Sequence, residues 1–222
     1  MTAMRRTCVA GVACLLVAPF ARGATGQPPG GEAVLRALSA QTETLRGPLG
    51  NPPELARIEQ HLGVLERARA AALGGRVSAE YRDSLLADVA LLESATAMVR
   101  SGDRERALAA VLDAEADLAI KRDHVEAGLG FSSGGLRTVR VTVRTMRGTQ
   151  EERGHFVWFV ARGWVNDPRR YARFDEMSSP TSAPLAPGNY FMWLGEAIGG
   201  GRQPIVVGGH GRSQQTIDLP LP

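Results

Sequence analysis

The spacing of apolar residues changes once along this chain, near residue 130, and this change constrains the fold more than any other feature. Up to about residue 127, apolar side chains recur at intervals of three and four, as on one face of an α-helix. From residue 136 onwards they alternate with polar side chains, as on a half-buried β-strand. The sequence therefore predicts an α+β fold, in which a helical part is followed by an all-β part.

Three or four helices are predicted in the first part, over residues 32–127, after a flexible lead-in at residues 24–31. Pro53 suits the first turn of the second helix. Ser78 and Asp103 are predicted N-caps of the third and fourth helices. Because the connections are short, neighbouring helices should run antiparallel, and we expect an antiparallel helical bundle.

The second part begins with a clear strand. In "TVRVTVR", Val139, Val141 and Val143 point to one side of the predicted strand, while Arg140 and Arg144 point to the other. This alternation is typical of a strand with one buried face.

Further short apolar segments follow, separated by glycine and proline, with no helical segment between them. They predict a small antiparallel sandwich of the immunoglobulin-like, prealbumin-like type over residues 136–222. Residues 128–135, rich in glycine and serine, are predicted to be the linker between the two domains.

The segment "LAPGNYFMW" carries a family resemblance. We interpret Pro187 and Gly188 as a type II turn that leads into a strand. With Leu185 and Tyr190, they resemble the Leu-x-Pro-Gly-x-Tyr signature of carboxypeptidase regulatory-like and related transthyretin-like modules. The resemblance covers the β part only, and it implies a non-catalytic accessory fold of exported proteins without transferable active-site residues. The preceding polar segment, residues 178–184, is predicted to be a loop whose role stays open.

The first 23 residues have the three parts of a secretory signal peptide. Arg5 and Arg6 precede an apolar stretch of 13 residues, and small residues lead to a cleavage site before Ala24. The apolar stretch is shorter than the roughly 20 residues that span a membrane. We therefore expect an exported protein, periplasmic or secreted, with residues 1–23 removed and no transmembrane segment left.

Removal of the signal peptide changes the chemistry of the chain. Cys8 and Cys14 both leave with it, so we expect no disulfide, no thiol nucleophile and no thiolate metal site. The formal net charge falls from +3 to zero, which gives no global argument for nucleic-acid binding. The helical part carries a net charge of −4 and the β part +4, so the parts attract each other or the β part meets an anionic partner.

No arrangement of residues predicts catalysis. The chain has four histidines, none at metal-ligand spacing from another: His61, His124, His155 and His210. His61 and His124 are interpreted as exposed or capping residues. No nucleophile motif occurs around any serine. We expect no catalytic residue, no metal and no cofactor.

Charged residues of the fourth predicted helix are assigned no functional role. Asp113, Glu115 and Asp117 are predicted to form its solvated face. Lys121, the single lysine, is attributed to the base composition of a GC-rich genome.

The most plausible recognition surface is "RGWVNDPRRYARF", residues 162–174. Its candidate residues are Trp164, Arg169, Arg170 and Tyr171, and a second candidate row is formed by Arg140 and Arg144. Aromatic faces and guanidinium groups suit sugar rings, acidic groups or the rim of a protein interface. Alternatively, Trp164 closes the sandwich and the arginines pair with the acidic helices.

Three hypotheses about function follow. The first is a non-enzymatic interaction protein of the cell envelope or extracellular space, with a protein or glycan partner and no nucleic acid. The second is a carbohydrate-binding module that uses Trp164 and Tyr171. The third is an unrecognised hydrolase with His210 or His155 as its base.

Overall fold

A computed structural model describes residues 29–71, 77–128, 131–132, 135–177, 180–196 and 201–221. The predicted signal peptide lies outside the described residues. Four helices are followed by two β-sheets that pack as a sandwich, so the predicted α+β fold is confirmed.

The helices begin and end near the predicted caps. They are α1 (Gly31–Leu49), α2 (Pro53–Ala71), α3 (Ala79–Arg100) and α4 (Arg104–Glu126). The hydroxyl of Ser78 accepts a hydrogen bond from the backbone N–H of Tyr81 at 3.2 Å. The carboxylate of Asp103 accepts one from the backbone N–H of Arg106, also at 3.2 Å. Each side chain satisfies a donor that the first helical turn leaves free, which confirms both N-caps.

The bundle core lies between α3 and α4 and between these helices and the first two. Leucines dominate it, and α4 contributes Ala107, Ala110 and Ala114 on its buried face. These small side chains allow the neighbouring helices to come close to α4. Leu112 of α4 lies outside this core and is 42% exposed. It lies beside the stripe that starts at Ala107, not on it.

In the described part of the chain, ten strands follow the helices. They are β1 (Phe131–Ser132), β2 (Gly135–Leu136), β3 (Val139–Arg147), β4 (Gln150–Glu152), β5 (Val157–Ala161), β6 (Ala172–Arg173), β7 (Thr181–Leu185), β8 (Gly188–Leu194), β9 (Gln203–Val207) and β10 (Gln214–Pro220). β1 and β2 form a small hairpin inside the segment predicted as a linker. One sandwich sheet has β3 at its centre, flanked by β10 on one side and by β4 and β7 on the other. The other sheet has the order β6-β5-β8-β9.

The alternation predicted for β3 is confirmed, since Val139, Val141 and Val143 are fully buried between the sheets. The prediction of a purely antiparallel sandwich is wrong in one pair, because β10 runs parallel to β3. The chain crosses from β9 in the other sheet and enters β10 at the end where β3 begins. There the backbone N–H of Arg140 donates to the carbonyl of Ser213 at 3.0 Å, which fixes the direction of β10.

Most of the segment predicted as a polar loop before the Pro-Gly pair is a strand. Residues 181–185 form β7, which pairs antiparallel with β3, and Ala183 lies opposite Val141. Pro184 is tolerated there because β7 is an edge strand, where a missing N–H leaves no ladder hydrogen bond unmade. Residues 178 and 179 lie outside the described residues.

The helices cover one end of the sandwich. α3 contacts the turn at residues 162–164 that follows β5, and α4 contacts the turn at residues 209–211 and the start of β8. Ala186, between β7 and β8, is buried in the core of the bundle. Gly163 lies so close to the backbone of α3 that a methyl group on it would overlap the carbonyl oxygen of Ala87. The two parts are therefore docked through close backbone contact.

Candidate functional site

The single lysine of the chain lies at this interface and is completely buried. Its Nζ is 2.9 Å from Oδ2 of Asp88 on α3, and it donates a hydrogen bond to Oδ2 of Asp117, one turn earlier on α4. Oδ1 of Asp117 in turn accepts the backbone N–H of Asn189 on β8. Lys121 and Asp117 thus join two helices of the bundle to a central strand of the sandwich.

The Pro-Gly pair of the family-like signature takes part in this contact. A Cβ on Gly188 would lie 2.9 Å from both carboxylate oxygens of Asp117, so only glycine leaves room for the carboxylate. Its φ of +152° is also one that glycine adopts more easily than other residues. β8 already begins at Gly188, so this residue is the first of a strand and not the third of the predicted type II turn.

Two buried tyrosines border the lysine. Tyr81 lies on α3 and Tyr190 on β8, and burial raises the pKa of both phenols. The hydroxyl of Tyr190 donates to the carbonyl of Ala186 at 3.0 Å, across the short connection between β7 and β8. The hydroxyl of Tyr81 has no hydrogen-bond partner among the described residues.

The protonation states follow from the environment of each group. Burial raises the pKa of Asp88 well above its usual value, more than Lys121 lowers it. Burial acts on Asp117 in the same sense, but the charge of Lys121 and the hydrogen bonds from Lys121 and the Asn189 N–H outweigh it, so the pKa of Asp117 is lowered. Burial alone would lower the pKa of Lys121, and the two aspartates raise it instead. These directions assign the charges of the ion pair to Lys121 and Asp117, and they make Asp88 the more readily protonated of the two carboxyl groups.

The predicted positions of two of these groups are corrected. Asp117 was predicted on a solvated face, but it is only 5% exposed. Lys121 was attributed to base composition alone, but it is fully buried and contacts both aspartates. The prediction failed because α4 has neighbours on several sides, α2, α3 and the sandwich. A buried helix face can carry polar side chains when each has a hydrogen-bond or ion-pair partner. The spacing of apolar residues does not reveal such a face.

The predictions for two histidines are also wrong. His61 is 2% exposed and lies between Glu115 and Arg122, with ring nitrogens 3.3 Å from Oε1 and 3.2 Å from Nη1 respectively. His124 is fully buried, and neither ring nitrogen has a hydrogen-bond partner among the described residues. Burial lowers its pKa, because the imidazolium would lose its hydration.

His124 should make the protein sensitive to mild acid. A pKa below the unfolded value of about 6.5 means that the unfolded chain binds the proton more readily, so stability falls as the pH drops below about 7. His124→Leu removes this effect. We expect wild type to lose about 1–2 kcal/mol more than the variant between pH 7.5 and pH 5, from urea unfolding followed by circular dichroism. The raised pKa of Asp88 changes stability with pH in the opposite sense, but it acts in both chains and cancels in the comparison. Equal losses of stability in wild type and variant would contradict a lowered pKa of His124.

A second cluster lies on the outer face of the sheet formed by β5, β6, β8 and β9. Trp158 and Trp193 stack with ring centroids 6.5 Å apart. The guanidinium of Arg173 lies 5.8 Å from the ring centre of Trp158 and 4.3 Å from that of Phe156. The guanidinium of Arg202 lies 5.1 Å from the ring centre of Trp193.

Tyr171 extends this cluster towards the predicted recognition segment. Its ring packs edge-on against Trp193, with centroids 5.2 Å apart, and the guanidinium of Arg202 lies 4.9 Å from its centre. Its hydroxyl donates to the carbonyl of Val165 at 2.7 Å. We call the following set the ladder surface: Phe156, Trp158, Tyr171, Arg173, Trp193 and Arg202.

Part of the predicted recognition segment adjoins the ladder surface. Arg170 places its guanidinium 4.7 Å from the ring centre of Trp164, and Tyr171 belongs to the ladder surface itself. Arg169 is not part of it, because its guanidinium forms two hydrogen bonds with Asp167, at 2.8 and 3.0 Å. The structure therefore brings together three of the four predicted residues.

Arg140 and Arg144 lie elsewhere, on the outer face of the other sheet. Arg144 forms two hydrogen bonds of 2.8 Å with Asp218 on the neighbouring strand. Arg140 is exposed and forms no ion pair among the described residues. The recognition segment and the pair of Arg140 and Arg144 thus lie on opposite faces of the sandwich.

Sequence reasoning missed four members of the ladder surface, which lie outside the predicted segment: Phe156, Trp158, Trp193 and Arg202. One signal was available in "HFVWFVA", which is one of the short apolar segments of the β part. Val157 and Phe159 of this segment face the core, while Trp158 between them faces outwards. The strand partners of Trp158 could not be predicted, since they depend on register across strands.

The remaining histidines stand apart from these clusters. His155 lies 3.7 Å from the carboxylate of Glu152 near the start of β5, and His210 is exposed in the turn at residues 209–211. Within the described ranges, no three His, Cys, Asp or Glu residues come together as a metal site would require. None of the described helices is long and apolar enough to cross a membrane.

Comparison of the chain with protein-family models, with curated proteins and with solved structures gave no match in any of the three.

Proposed function

We propose that this chain is an exported, non-enzymatic interaction protein of the cell envelope or extracellular space. In this proposal its sandwich binds a protein partner that presents carboxylates to the ladder surface and the adjoining Arg170. The observation that carries the proposal is the stacking of guanidinium groups on aromatic rings at an exposed sheet face.

Stacking prepares an arginine for binding. Arg170 and Arg173 are exposed and form no ion pair among the described residues, while rings below hold their guanidinium planes. Neither guanidinium group forms a side-chain hydrogen bond among the described residues, so their N–H donors are available to a carboxylate. Less side-chain entropy is then lost when a partner binds.

A carbohydrate-binding module is less well supported. Sugar rings stack on open aromatic faces, but Trp193 is only 1% exposed, and Trp158 lies between Trp193 and the guanidinium of Arg173. One face of Trp164 is covered by Arg170. Guanidinium groups therefore lie over rings of the ladder surface, which favours acidic groups over sugar rings.

Two parts of the proposal rest on the sequence. Export is supported by the signal-peptide pattern, and membership of the carboxypeptidase regulatory-like modules is supported by the segment from Leu185 to Tyr190. The β-sandwich architecture is compatible with that family.

The test measures binding of the mature chain to the partner that it captures from the native envelope. Arg170→Gln with Arg173→Gln should weaken the affinity at least tenfold, about 1.4 kcal/mol, by interferometry on purified proteins. Arg169→Gln is the matched control, because this neighbouring arginine is held by Asp167, and it should change the affinity less than threefold. Unchanged binding by the double variant, or equal loss in the control, would refute the ladder surface as the binding site.

A further inference from the structure

A groove on the opposite face of the sandwich is independent of the ladder surface. It encloses about 560 Å³ over the start of β3, between the end of β7 and the start of β10. Its polar lining consists of Arg137, Thr138, Arg140, Ser182, Ser213 and Gln214. Ser182 belongs to the segment that the sequence predicted as a polar loop of open role.

The strand register explains how the groove forms. Arg140 lies opposite Pro184 of β7 on one side and opposite Gln214 of β10 on the other. All three residues are exposed, on the side of the sheet that faces away from the core. Arg137 precedes β3, so its side chain joins that of Arg140 in the lining.

The charges around the groove are unbalanced. Among the residues that the structure describes, Arg137 and Arg140 line the groove and no acidic residue does. Arg144, four residues further along the same strand and on the same face, shows the contrasting case, because Asp218 neutralises it. Arg140 has no such acidic neighbour: Gln214 occupies the position on β10 opposite Arg140, as Asp218 does opposite Arg144. An anion could therefore approach Arg140 without displacing an internal partner.

The rest of the lining offers hydrogen bonds in both directions. Three hydroxyl groups and one carboxamide surround the two arginines. Such groups donate to and accept from the hydroxyls of a ligand, whereas guanidinium groups only donate. No aromatic ring lines the groove, so it lacks the stacking platform of nucleic-acid binding surfaces. Its volume is within the range of about 300–1,000 Å³ of small-molecule sites.

We propose that this groove binds an anionic sugar, whose carboxylate or phosphate pairs with Arg140 and Arg137 while its hydroxyls bond to the surrounding side chains. This site is separate from the proposed protein-binding surface. Together they would let the chain hold an acidic glycan on one face and a protein on the other.

The test titrates the mature chain with glucuronate, glucose 6-phosphate, glucose and inorganic phosphate, followed by calorimetry and by NMR. At least one of the two anionic sugars should bind, with glucose and inorganic phosphate each at least tenfold weaker. The anionic sugar that binds more tightly shows whether carboxylate or phosphate is the preferred group. Arg140→Gln should weaken binding at least tenfold.

Arg144→Gln is the matched control on the same strand face, and its affinity should stay within threefold of wild type. Thermal unfolding of both variants checks that each remains folded. The proposal is overturned if no anionic sugar binds at millimolar concentration, if glucose or inorganic phosphate binds as tightly, or if both variants bind like wild type.

Discussion

Replacing Lys121 by methionine should lower the free energy of unfolding by about 3–5 kcal/mol, as expected when one partner of a buried ion pair is removed. Methionine has a similar length and fills the space without charge. The variant leaves the carboxylate of Asp117 buried without its ammonium, and the Asn189 N–H still donates a hydrogen bond to it. Urea unfolding at pH 7.5, followed by circular dichroism, measures the loss.

The two aspartates around Lys121 should respond unequally. Burial raises the pKa of Asp88 and so disfavours its charged form, so Asp88→Asn, which also lacks a charge, should cost only about 1 kcal/mol. Asp117→Asn removes the ionised partner of Lys121 and should cost about as much as the lysine substitution. Equal effects of the two asparagine variants would contradict the assigned protonation states. A methionine variant as stable as wild type would show that the centre does not stabilise the fold.

Gly163→Ala should also be strongly destabilising, by about 1–3 kcal/mol or more, as overpacking of a close contact is. The added methyl group would overlap the carbonyl oxygen of Ala87, which belongs to the backbone of α3 and cannot rotate away. The sandwich must then shift away from α3, which also strains the contacts around Lys121. The same unfolding measurement detects the loss.

Gly63→Ala is the matched control for Gly163. It lies inside α2, and its added Cβ would meet only the guanidinium of Arg67, at an ordinary contact distance of 3.6 Å. Alanine has the higher helix propensity, so this variant should gain about 0.5–1 kcal/mol. If both alanine variants shift stability in the same direction, the backbone contact at Gly163 does not hold the two parts together.

The sequence predicted those features that depend on neighbouring residues along the chain. The alternation in β3 and the caps at Ser78 and Asp103 are local patterns, and the structure confirms them. The strand β7 was missed because its sequence, rich in serine and proline, has low strand propensity. It is a strand because β3 offers an unpaired edge, and that edge exists only in the folded protein.

The buried centre could not be predicted from spacing. Asp88 and Lys121 are 33 residues apart, and Asn189 lies much further along the chain. Each polar side chain looks solvent-facing until its partners are known, so periodicity assigned Asp117 to the wrong face. The sequence shows that Lys121 is the single lysine, but the residue type alone does not indicate whether its side chain is buried.

The ladder surface was predictable only in part, for a related reason. Tyr171 and Arg173 lie in the segment at residues 162–174, where aromatic residues and arginines close in sequence pointed to one surface. Trp193 comes from β8 and Arg202 from the segment before β9, so their contacts with Tyr171 depend on sheet order. Only the structure shows that guanidinium groups cover the ring faces, and this decides between acidic partners and sugar stacking.

The central claim is that bundle and sandwich form one body around a structural Lys121 centre, with binding left to the outer faces. Urea unfolding followed by two probes in one sample tests it most directly. All three tryptophans lie in the sandwich, so their fluorescence reports on it, while circular dichroism at about 222 nm reports on the bundle. The account predicts a single shared midpoint in wild type and two separated midpoints in Lys121→Met. Separate transitions in wild type, unchanged by the substitution, would contradict it.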